Sequence, residues 1–262
     1  MKISVVMQSY LGDYPNSRKN PEFKFVRAVS SFLSQRHLDK ELIIISDGCD
    51  RTKQIYDMLY SHDPRIKFGY VAKKNKKMYE EEINGNLKTR YYSGIPRAVG
   101  CSLATGDIIC YMDSDDIILP NHLTDLAITW KEHPDSIWCS NSLRIVHKNA
   151  TTLKNFENAA GFIKDKPINL NNFGYDIHDP FYICISVPEG KVFTATSSIS
   201  HRKTVKSAWR DVKLVINTET KEMEGTSEDN DFFNQLLAEG KGFIQKSASY
   251  VVCHFRFGLW DV

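Results

Sequence analysis

The stretch Asp107-Ile108-Ile109-Cys110-Tyr111-Met112 runs directly into Asp113-Ser114-Asp115-Asp116. Its nearly uninterrupted apolar part is typical of a central strand of a parallel sheet, which is buried on both faces. Carboxylates that follow such a strand lie at the carboxyl edge of the sheet, where ligands of open α/β sheets bind. The stretch therefore predicts an α/β fold with an acidic site at one edge.

The acidic cluster 113–116 has two interpretations. Three carboxylates within four residues repel one another unless a cation joins them, and such hard oxygen ligands suit Mg²⁺ or Mn²⁺ carrying a substrate phosphate. Alternatively, the cluster is a solvated turn that leads into a helix over 121–131, with Pro120 at the first turn of that helix. The cluster alone leaves both interpretations open.

Strand and helix patterns alternate through the first part of the chain, which predicts a doubly wound, Rossmann-like, mostly parallel sheet flanked by helices. This architecture is typical of nucleotide-binding proteins. The predicted strands are 2–7, 41–46, 65–71 and 107–112, and the predicted helices are 23–35, 51–61 and 87–104.

The pattern changes character near position 120, although no linker marks a domain boundary. Residues 136–192 are irregular, and we expect them to form a substrate-specific region. After them the sequence predicts a strand over 192–199, a polar loop over 225–230, a helix over 231–237 that Gly240 ends, and two short strands within 242–254.

The composition excludes several classes of protein. Thirty-four basic and 32 acidic residues give a net charge of +2, so no global field favours nucleic acid or an anionic membrane. The 6 cysteines show no close paired spacing, which argues against a zinc site and suits reduced thiols. No segment approaches the length of a membrane-spanning helix, and the apolar run at 1–7 is too short for a signal peptide. We therefore expect a cytoplasmic location.

One basic patch stands out, Lys73-Lys74-Asn75-Lys76-Lys77, and Glu80-Glu81-Glu82 follows it closely. Most such runs are solvated loops. The alternative is a phosphate-binding lip for a polyanionic acceptor such as DNA, to which Tyr79, Arg90, Tyr91 and Tyr92 would add stacking surface. No groove-reading motif accompanies the patch.

Carboxylates occur at three places where loops of the sheet should converge: Asp47 after the second strand, the cluster 113–116, and Glu228-Asp229 before the late helix. Asp47 is placed to accept a hydrogen bond from a base or ribose, although an Asx turn at Asp47-Gly48 is the commoner explanation of such a residue. The convergence favours a ligand site more than any single motif does.

The order of these motifs resembles that of the family 2 glycosyltransferases with the GT-A fold. The similar segments are Ile3 to Tyr10, Ser31 to Gln35, Ile45 to Cys49, Arg97 to Gly100, Ala104 to Asp107, Tyr111 to Asp116 with its Asp-x-Asp motif, and Glu228 to Asp231. Residues 88–91 are also similar to a segment of the spore-coat polysaccharide transferases of this family. The resemblance runs through most of the chain.

The resemblance implies roles for individual residues. Tyr10 would stack on the donor base, Asp47 would hydrogen-bond that base, and Asp229 would be the catalytic base. Asp113 would meet the ribose or the metal, and Asp115 would bind the divalent cation. The remaining candidates are Ser114 in the donor site, Arg90 and Arg97 at the diphosphate, Arg256 as a phosphate clamp or exposed ion pair, and His254 as a metal ligand or a packed core residue.

The resemblance implies an inverting glycosyltransferase that uses Mn²⁺ or Mg²⁺ and a nucleoside diphosphate sugar, with a UDP sugar favoured. Residues 1–120 would bind the donor, and residues 121–262 would bind the acceptor and hold the base, within one fused domain. The acceptor would be a saccharide or a lipid-linked glycan. Two alternatives stay open: the same chemistry on a modified base in DNA, and a noncatalytic protein that binds nucleotide sugars or carbohydrates.

The sequence departs from the common pattern of the family at two positions. Ala98 stands where Asn often follows the Arg, and Ser46 replaces the first Asp of the Asp-Asp-Gly-Ser turn. These departures concern sugar and base contacts more than the fold. Within the acidic cluster, we expect Asp116 to serve the helix that follows.

Overall fold

The computed structural model describes residues 1–12, 20–72, 80–83, 86–91, 94–147, 163–169, 181–186, 195–217 and 223–252. The helices are α1 (Pro21–Leu33), α2 (Asp50–Leu59), α3 (Gly94–Leu103), α4 (His122–Glu132) and α5 (Glu228–Glu239). The strands are β1 (Ile3–Ser9), β2 (Lys40–Asp47), β3 (Ile66–Val71), β4 (Glu80–Ile83), β5 (Asn86–Tyr91), β6 (Ile108–Tyr111), β7 (Ile117–Ile118), β8 (Trp138–His147), β9 (Ile163–Asn169), β10 (Phe181–Ser186), β11 (Ile199–Arg202), β12 (Val212–Asn217), β13 (Met223–Gly225) and β14 (Gly242–Val252).

The large sheet has the order β3-β2-β1-β6-β11-β8-β10-β9, and β14 pairs with both β8 and β7. Strands β3, β2, β1 and β6 are parallel neighbours, and β11 then runs antiparallel to β6. A smaller sheet has the order β13-β12-β5-β4. The predicted α/β class with a mostly parallel, helix-flanked sheet is confirmed, and the switch at β11 makes the sheet mixed.

Helices cover both faces of the large sheet. On one face α1 and α4 bury Phe25, Phe32 and Trp130 against β1, β2 and β6. On the other face α3 and α5 pack against Val6 and Tyr111. Both faces of β6 are buried, so polar residues do not alternate with apolar ones along it. This arrangement explains the continuous apolar run of β6.

The helix predicted over 87–104 is wrong in its first part. Residues Asn86–Tyr91 form β5, which pairs with β12, and the helix α3 occupies only Gly94–Leu103. Pro96 lies in the first turn of α3, where its missing N–H needs no intrahelical partner. At Gly94 a Cβ atom would lie 2.2 Å from the carbonyl oxygen of Arg210, so this helix start requires a glycine.

Three other predictions are corrected. Residues Thr196–Ser198 form a 3₁₀ turn, so among the described residues of the strand predicted over 192–199 only Ile199 belongs to a strand. The segment predicted as two strands within 242–254 is one strand, β14, whose register with β8 shifts between Gln245 and Tyr250. The region 136–192, predicted to be irregular, contains β8, β9 and β10.

Two further observations concern membrane-spanning helices and cysteines. In the described part of the chain, no helix combines the length and the apolar character needed to cross a membrane. The four cysteines within that part, Cys49, Cys101, Cys110 and Cys139, are free thiols.

Candidate functional site

Three predicted site residues lie at the carboxyl edge of neighbouring parallel strands. Ser9 of β1 is paired with Ser46 of β2, so Tyr10 and Asp47 leave the sheet side by side. Asp113 follows β6, which is paired with the other side of β1. All three residues are half-buried. The strand register therefore delivers an aromatic ring and two carboxylates to one edge, as the sequence predicts.

The turn after β2 explains why Ser46 can replace an aspartate. The Ser46 hydroxyl is fully buried, accepts the Cys49 N–H at 3.0 Å and donates to the Cys49 carbonyl at 2.8 Å. Gly48 has a φ of 68°, which favours glycine. Ser46 thus closes the turn that presents Asp47 at the sheet edge.

The acidic turn 113–116 is held by contacts from both sides. The Asp116 N–H donates to the Asp113 carbonyl at 3.2 Å, and the Arg27 guanidinium of α1 donates to the Asp115 carbonyl oxygen. The Asp116 carboxylate is buried and accepts a hydrogen bond from the Tyr250 hydroxyl at 3.0 Å. The expectation that Asp116 serves the following helix is therefore wrong, because α4 begins only at His122 and this carboxylate is directed to β14.

Arg97 of α3 connects the acidic turn to the N-terminus of α5. Its side chain is only 9% exposed, and Nη1 lies 3.0 Å from Oε1 of Glu228. Nη2 lies 3.7 Å from Oδ1 of Asp113. The guanidinium also lies over the Trp209 ring, 5.0 Å from its centroid. One buried cation is thus surrounded by two carboxylates and an aromatic face.

Asp229 lies in the first turn of α5, not in a loop before it. Ser227 caps this helix by accepting the Asn230 N–H at 3.3 Å, and the Thr196 hydroxyl donates to Oδ1 of Asp229. The positive end of the helix dipole stabilises acidic side chains in this turn. The helix therefore begins three residues earlier than predicted and includes the expected base.

The surroundings of Asp229 raise the pKa of its carboxyl from 3.8 to about 6. Burial is the main cause, and the neighbouring charges of Glu228 and Asp113 add to it, whereas Arg97 and the Thr196 hydroxyl oppose it. Such a carboxylate is ionised at neutral pH yet basic enough to accept a proton, which suits a general base.

Comparison with known proteins shows what the chain is similar to. Residues 88–186 match the family model described as glycosyl transferase family 2. Crystal structures of S. aureus TarS have a similar fold: the complex of TarS 1-349 with UDP-GlcNAc gives a TM-score of 0.56 at 17% identity over 96% of this chain and 58% of that chain. Residues 88–186 are thus similar to the glycosyl transferase family 2, and the fold of the chain is similar to that of TarS.

The proteins that this chain resembles are longer than the chain itself. A further TarS structure gives a TM-score of 0.57 at 18% identity and covers 98% of this chain but 38% of the TarS chain. An uncharacterized glycosyltransferase, alr2836, of Nostoc sp. (strain PCC 7120) is 24% identical over 154 residues, 58% of this chain and 40% of the relative. The chain thus spans well under two thirds of the length of these relatives.

Several predicted site residues lie where their side chains are not described. His254, Arg256 and the lysines of the patch 73–77 are outside the described residues. Arg90 belongs to β5, where its backbone pairs with Lys213 of β12. Ser114 is half-buried within the acidic turn. Their predicted roles stay predictions.

Asp113 and Asp115 fit a divalent cation by the chemistry of their oxygens. Asp113 is 40% exposed at the mouth of the site and Asp115 is half-buried beside it. Hard cations such as Mg²⁺ and Mn²⁺ prefer carboxylate oxygens, commonly from one or two side chains together with substrate phosphates. Across the described residues, no three His, Cys, Asp or Glu side chains form a ready metal cage. Two carboxylates that share the ion with a diphosphate do not require such a cage.

Sequence reasoning missed the role of Glu228 within the site. It treated Glu228 only as the companion of Asp229 in the Glu-Asp motif, whereas the structure buries its carboxylate against Arg97. The available signal for Glu228 was its place directly after the helix-capping Ser227. Its partner Arg97 lies 131 positions away in the chain. Only the tertiary fold brings that pair together.

Proposed function

We propose that this chain transfers a sugar from a UDP sugar to an acceptor hydroxyl, with inversion at the anomeric carbon and with help from a divalent cation. The observation that carries the proposal is the position of Asp229, a carboxylate whose pKa is raised to about 6, beside an arginine that also contacts Asp113 at the donor edge. Donor-side and base-side groups are thereby held together in one site.

The proposed reaction needs one base. The ionised carboxylate of Asp229 accepts the proton of the acceptor hydroxyl as its oxygen attacks the anomeric carbon. The bond from that carbon to the diphosphate breaks on the opposite face, which inverts the centre. Thr196 donates to Oδ1 of Asp229, so Oδ2 is the oxygen assigned to the proton.

On the donor side, Tyr10 would stack on the base and Asp47 would hydrogen-bond it, with Ser114, Arg90 and Arg97 near the diphosphate. The structural similarity to TarS in complex with UDP-GlcNAc makes this UDP sugar the first donor to test. Asp113 and Asp115 would hold Mn²⁺ or Mg²⁺, with His254 as a third ligand. The bound cation would neutralise charge on the departing UDP.

We propose residues 1–120 as the donor half and residues 121–262 as the half that binds the acceptor and carries the base. This division agrees with the place of Asp229 on α5, beyond the strand β11 that reverses the sheet direction. The proposed acceptor is a saccharide or a lipid-linked glycan. A DNA acceptor would require the basic patch 73–77.

The experiment measures binding and turnover separately. We expect UDP with Mn²⁺ to raise the melting temperature, and Asp115→Asn to remove the Mn²⁺-dependent part of that rise, while the control Asp57→Asn, on the exposed face of α2, retains it. UDP release is then followed with UDP-GlcNAc and other UDP sugars in the presence of a glycan acceptor panel. Absence of a thermal shift at millimolar UDP and Mn²⁺ contradicts the donor and metal assignment.

The same assays separate the alternatives. UDP binding without UDP release from any sugar donor favours a noncatalytic binding protein. Salt-sensitive DNA binding in a gel shift, lost when Lys73, Lys74, Lys76 and Lys77 are neutralised, favours a DNA acceptor.

A further inference from the structure

Glu228 is a buried carboxylate that directly precedes the proposed base in the chain and pairs with Arg97. Its side chain is 7% exposed, and Oε1 accepts a hydrogen bond of 3.0 Å from Nη1 of Arg97. Its other oxygen, Oε2, is buried and has no hydrogen-bond partner among the described residues. A buried carboxylate with one unsatisfied oxygen is unfavourable for folding, so stabilisation of the fold does not account for Glu228.

The guanidinium that Glu228 contacts is fixed on three sides. Glu228 holds Nη1, Asp113 lies 3.7 Å from Nη2, and the Trp209 ring lies beneath the guanidinium. Trp209 is itself held by stacking on Phe232 of α5, with ring centroids 4.2 Å apart. Because Arg is planar and rigid, a partner on each side sets both its position and its orientation.

We propose that Glu228 is a positioning residue that acts through Arg97. By anchoring Nη1, it holds one buried positive charge between Asp113, at the donor edge, and Asp229, at the acceptor side. The inference rests on the proposed function, since it assigns Asp229 the role of base. Without the anchor, Arg97 would follow its remaining carboxylate partners, and the separation of donor and base would no longer be fixed.

The charged groups around Asp229 come from three elements. Arg97 belongs to α3, Asp113 follows β6, and Glu228 belongs to the same turn of α5 as Asp229, while the Thr196 hydroxyl completes the set. Glu228 therefore acts on Asp229 in two opposite ways: directly as a like charge, and indirectly by holding the arginine. Two substitutions separate these effects, because glutamine keeps an oxygen for Arg97 and removes only the charge, whereas alanine removes both.

The experiment compares Glu228→Gln and Glu228→Ala with the control Asp231→Asn, using the full chain. Asp231 lies in the same helical turn, but its carboxylate pairs with the surface residue Arg210 at 2.6 Å. We expect Glu228→Ala to lower kcat about tenfold or more, because Arg97 would no longer hold Asp113 and Asp229 in the orientation that the reaction needs. Its KM for the UDP sugar should stay within about threefold of the wild-type value, since the contacts that bind the donor equally in the ground state and in the transition state are kept. Glu228→Gln should lose less, and Asp231→Asn should resemble the wild type.

A second readout does not require turnover. In protein with ¹³C-labelled aspartate carboxyl groups, the NMR titration of Asp229 is assigned with Asp229→Asn. Its pKa should differ between Glu228→Gln and Glu228→Ala, because both variants lack the neighbouring negative charge and only alanine also releases Arg97. Equal pKa values of Asp229 in the two variants, or an effect of Glu228→Ala on kcat no larger than that of Asp231→Asn, overturn the proposal. Failure of the wild type to release UDP would instead contradict the proposed function. The titration of Asp229 would then still test whether Glu228 positions Arg97.

Discussion

The Tyr250 hydroxyl donates a hydrogen bond of 3.0 Å to Oδ2 of Asp116, and the oxygen of that hydroxyl accepts the Asp113 N–H at 3.0 Å. Burial, together with the charges of Asp116 and Asp113, raises the pKa of Tyr250 well above its ordinary value, so the hydroxyl remains protonated. The last described strand, β14, therefore fixes the acidic turn at two points.

Substituting Tyr250 by Phe should loosen the acidic turn. The change removes a donor from the buried Asp116 carboxylate and an acceptor from the Asp113 N–H, and we expect a loss of about 1–3 kcal/mol in the free energy of unfolding. Binding of UDP in the presence of Mn²⁺, measured by calorimetry, should weaken several-fold.

The matched control for that substitution is Tyr56→Phe, because among the described residues the Tyr56 hydroxyl makes only a long hydrogen bond of 3.5 Å, to the carbonyl of Ile66 at the start of β3. Equal effects of the two substitutions on UDP binding would show that Tyr250 has no special link to the acidic turn.

Sugar transfer should depend on the ionisation of Asp229. Its pKa is raised to about 6, mainly by burial, and the base acts only when the carboxyl has lost its proton. We expect kcat to rise with pH through about 6 and then to level off. A pH profile of initial rates at saturating donor tests this, and an acid limb near the ordinary aspartate value would argue against Asp229 as the base.

The same pKa shift predicts how Asp229 affects stability. The folded protein holds this proton more tightly than the unfolded chain, so Asp229 favours folding below pH 4, and this contribution is lost as pH rises through about 6. Asp229→Asn should therefore melt at a higher temperature than the wild type at pH 8, with little difference at pH 4. Equal melting temperatures at both pH values would contradict a strained, buried carboxylate.

A second buried carboxylate, Glu41, should be structural, because it lies at the start of β2, at the opposite edge of the sheet. It pairs with Lys67 at 2.8 Å and Lys2 at 3.0 Å, and it accepts hydrogen bonds from Ser4 and the Thr105 N–H at 2.6 Å. Burial alone would raise the pKa of Glu41, but these donors outweigh it and hold the pKa well below its ordinary value.

Glu41→Gln should accordingly destabilise the fold by about 2–4 kcal/mol at pH 7, measured by urea unfolding, because it leaves buried donors poorly matched. Since a lowered acid pKa stabilises only above the unfolded value, the difference should shrink as pH falls below about 4. The control Asp57→Asn removes an exposed pair with Lys53 and should change stability by less than about 0.5 kcal/mol. A similar small effect of Glu41→Gln would contradict the structural role.

The sequence predicted the parts of the site that depend on strand ends. Asp47 and Asp113 follow apolar runs, and the parallel register then places them at one edge without further information. The start of α3 at Gly94 was not predictable from periodicity, because the residues before it pair with β12 from a distant part of the chain. The same holds for the contact between Arg97 and Glu228, which joins α3 to α5.

The role of Asp116 shows the same limit. An acidic residue shortly before a predicted helix suggests a local function, and local chemistry favours that interpretation. The Asp116 carboxylate instead accepts a hydrogen bond in the core from Tyr250, which lies 134 positions away in the chain. Sequence patterns report which residues lie at an edge, whereas the partner of a buried charge depends on the tertiary fold.

The most direct test of the central claim is a single-turnover measurement with Asp229→Asn and a UDP sugar that the wild type uses. Asparagine keeps the oxygen that accepts from Thr196 but cannot take a proton. We predict that transfer to the acceptor falls by a factor on the order of 100 or more, while the affinity for UDP and Mn²⁺ stays close to that of the wild type. Transfer at the wild-type rate by Asp229→Asn would contradict the claim that Asp229 is the base.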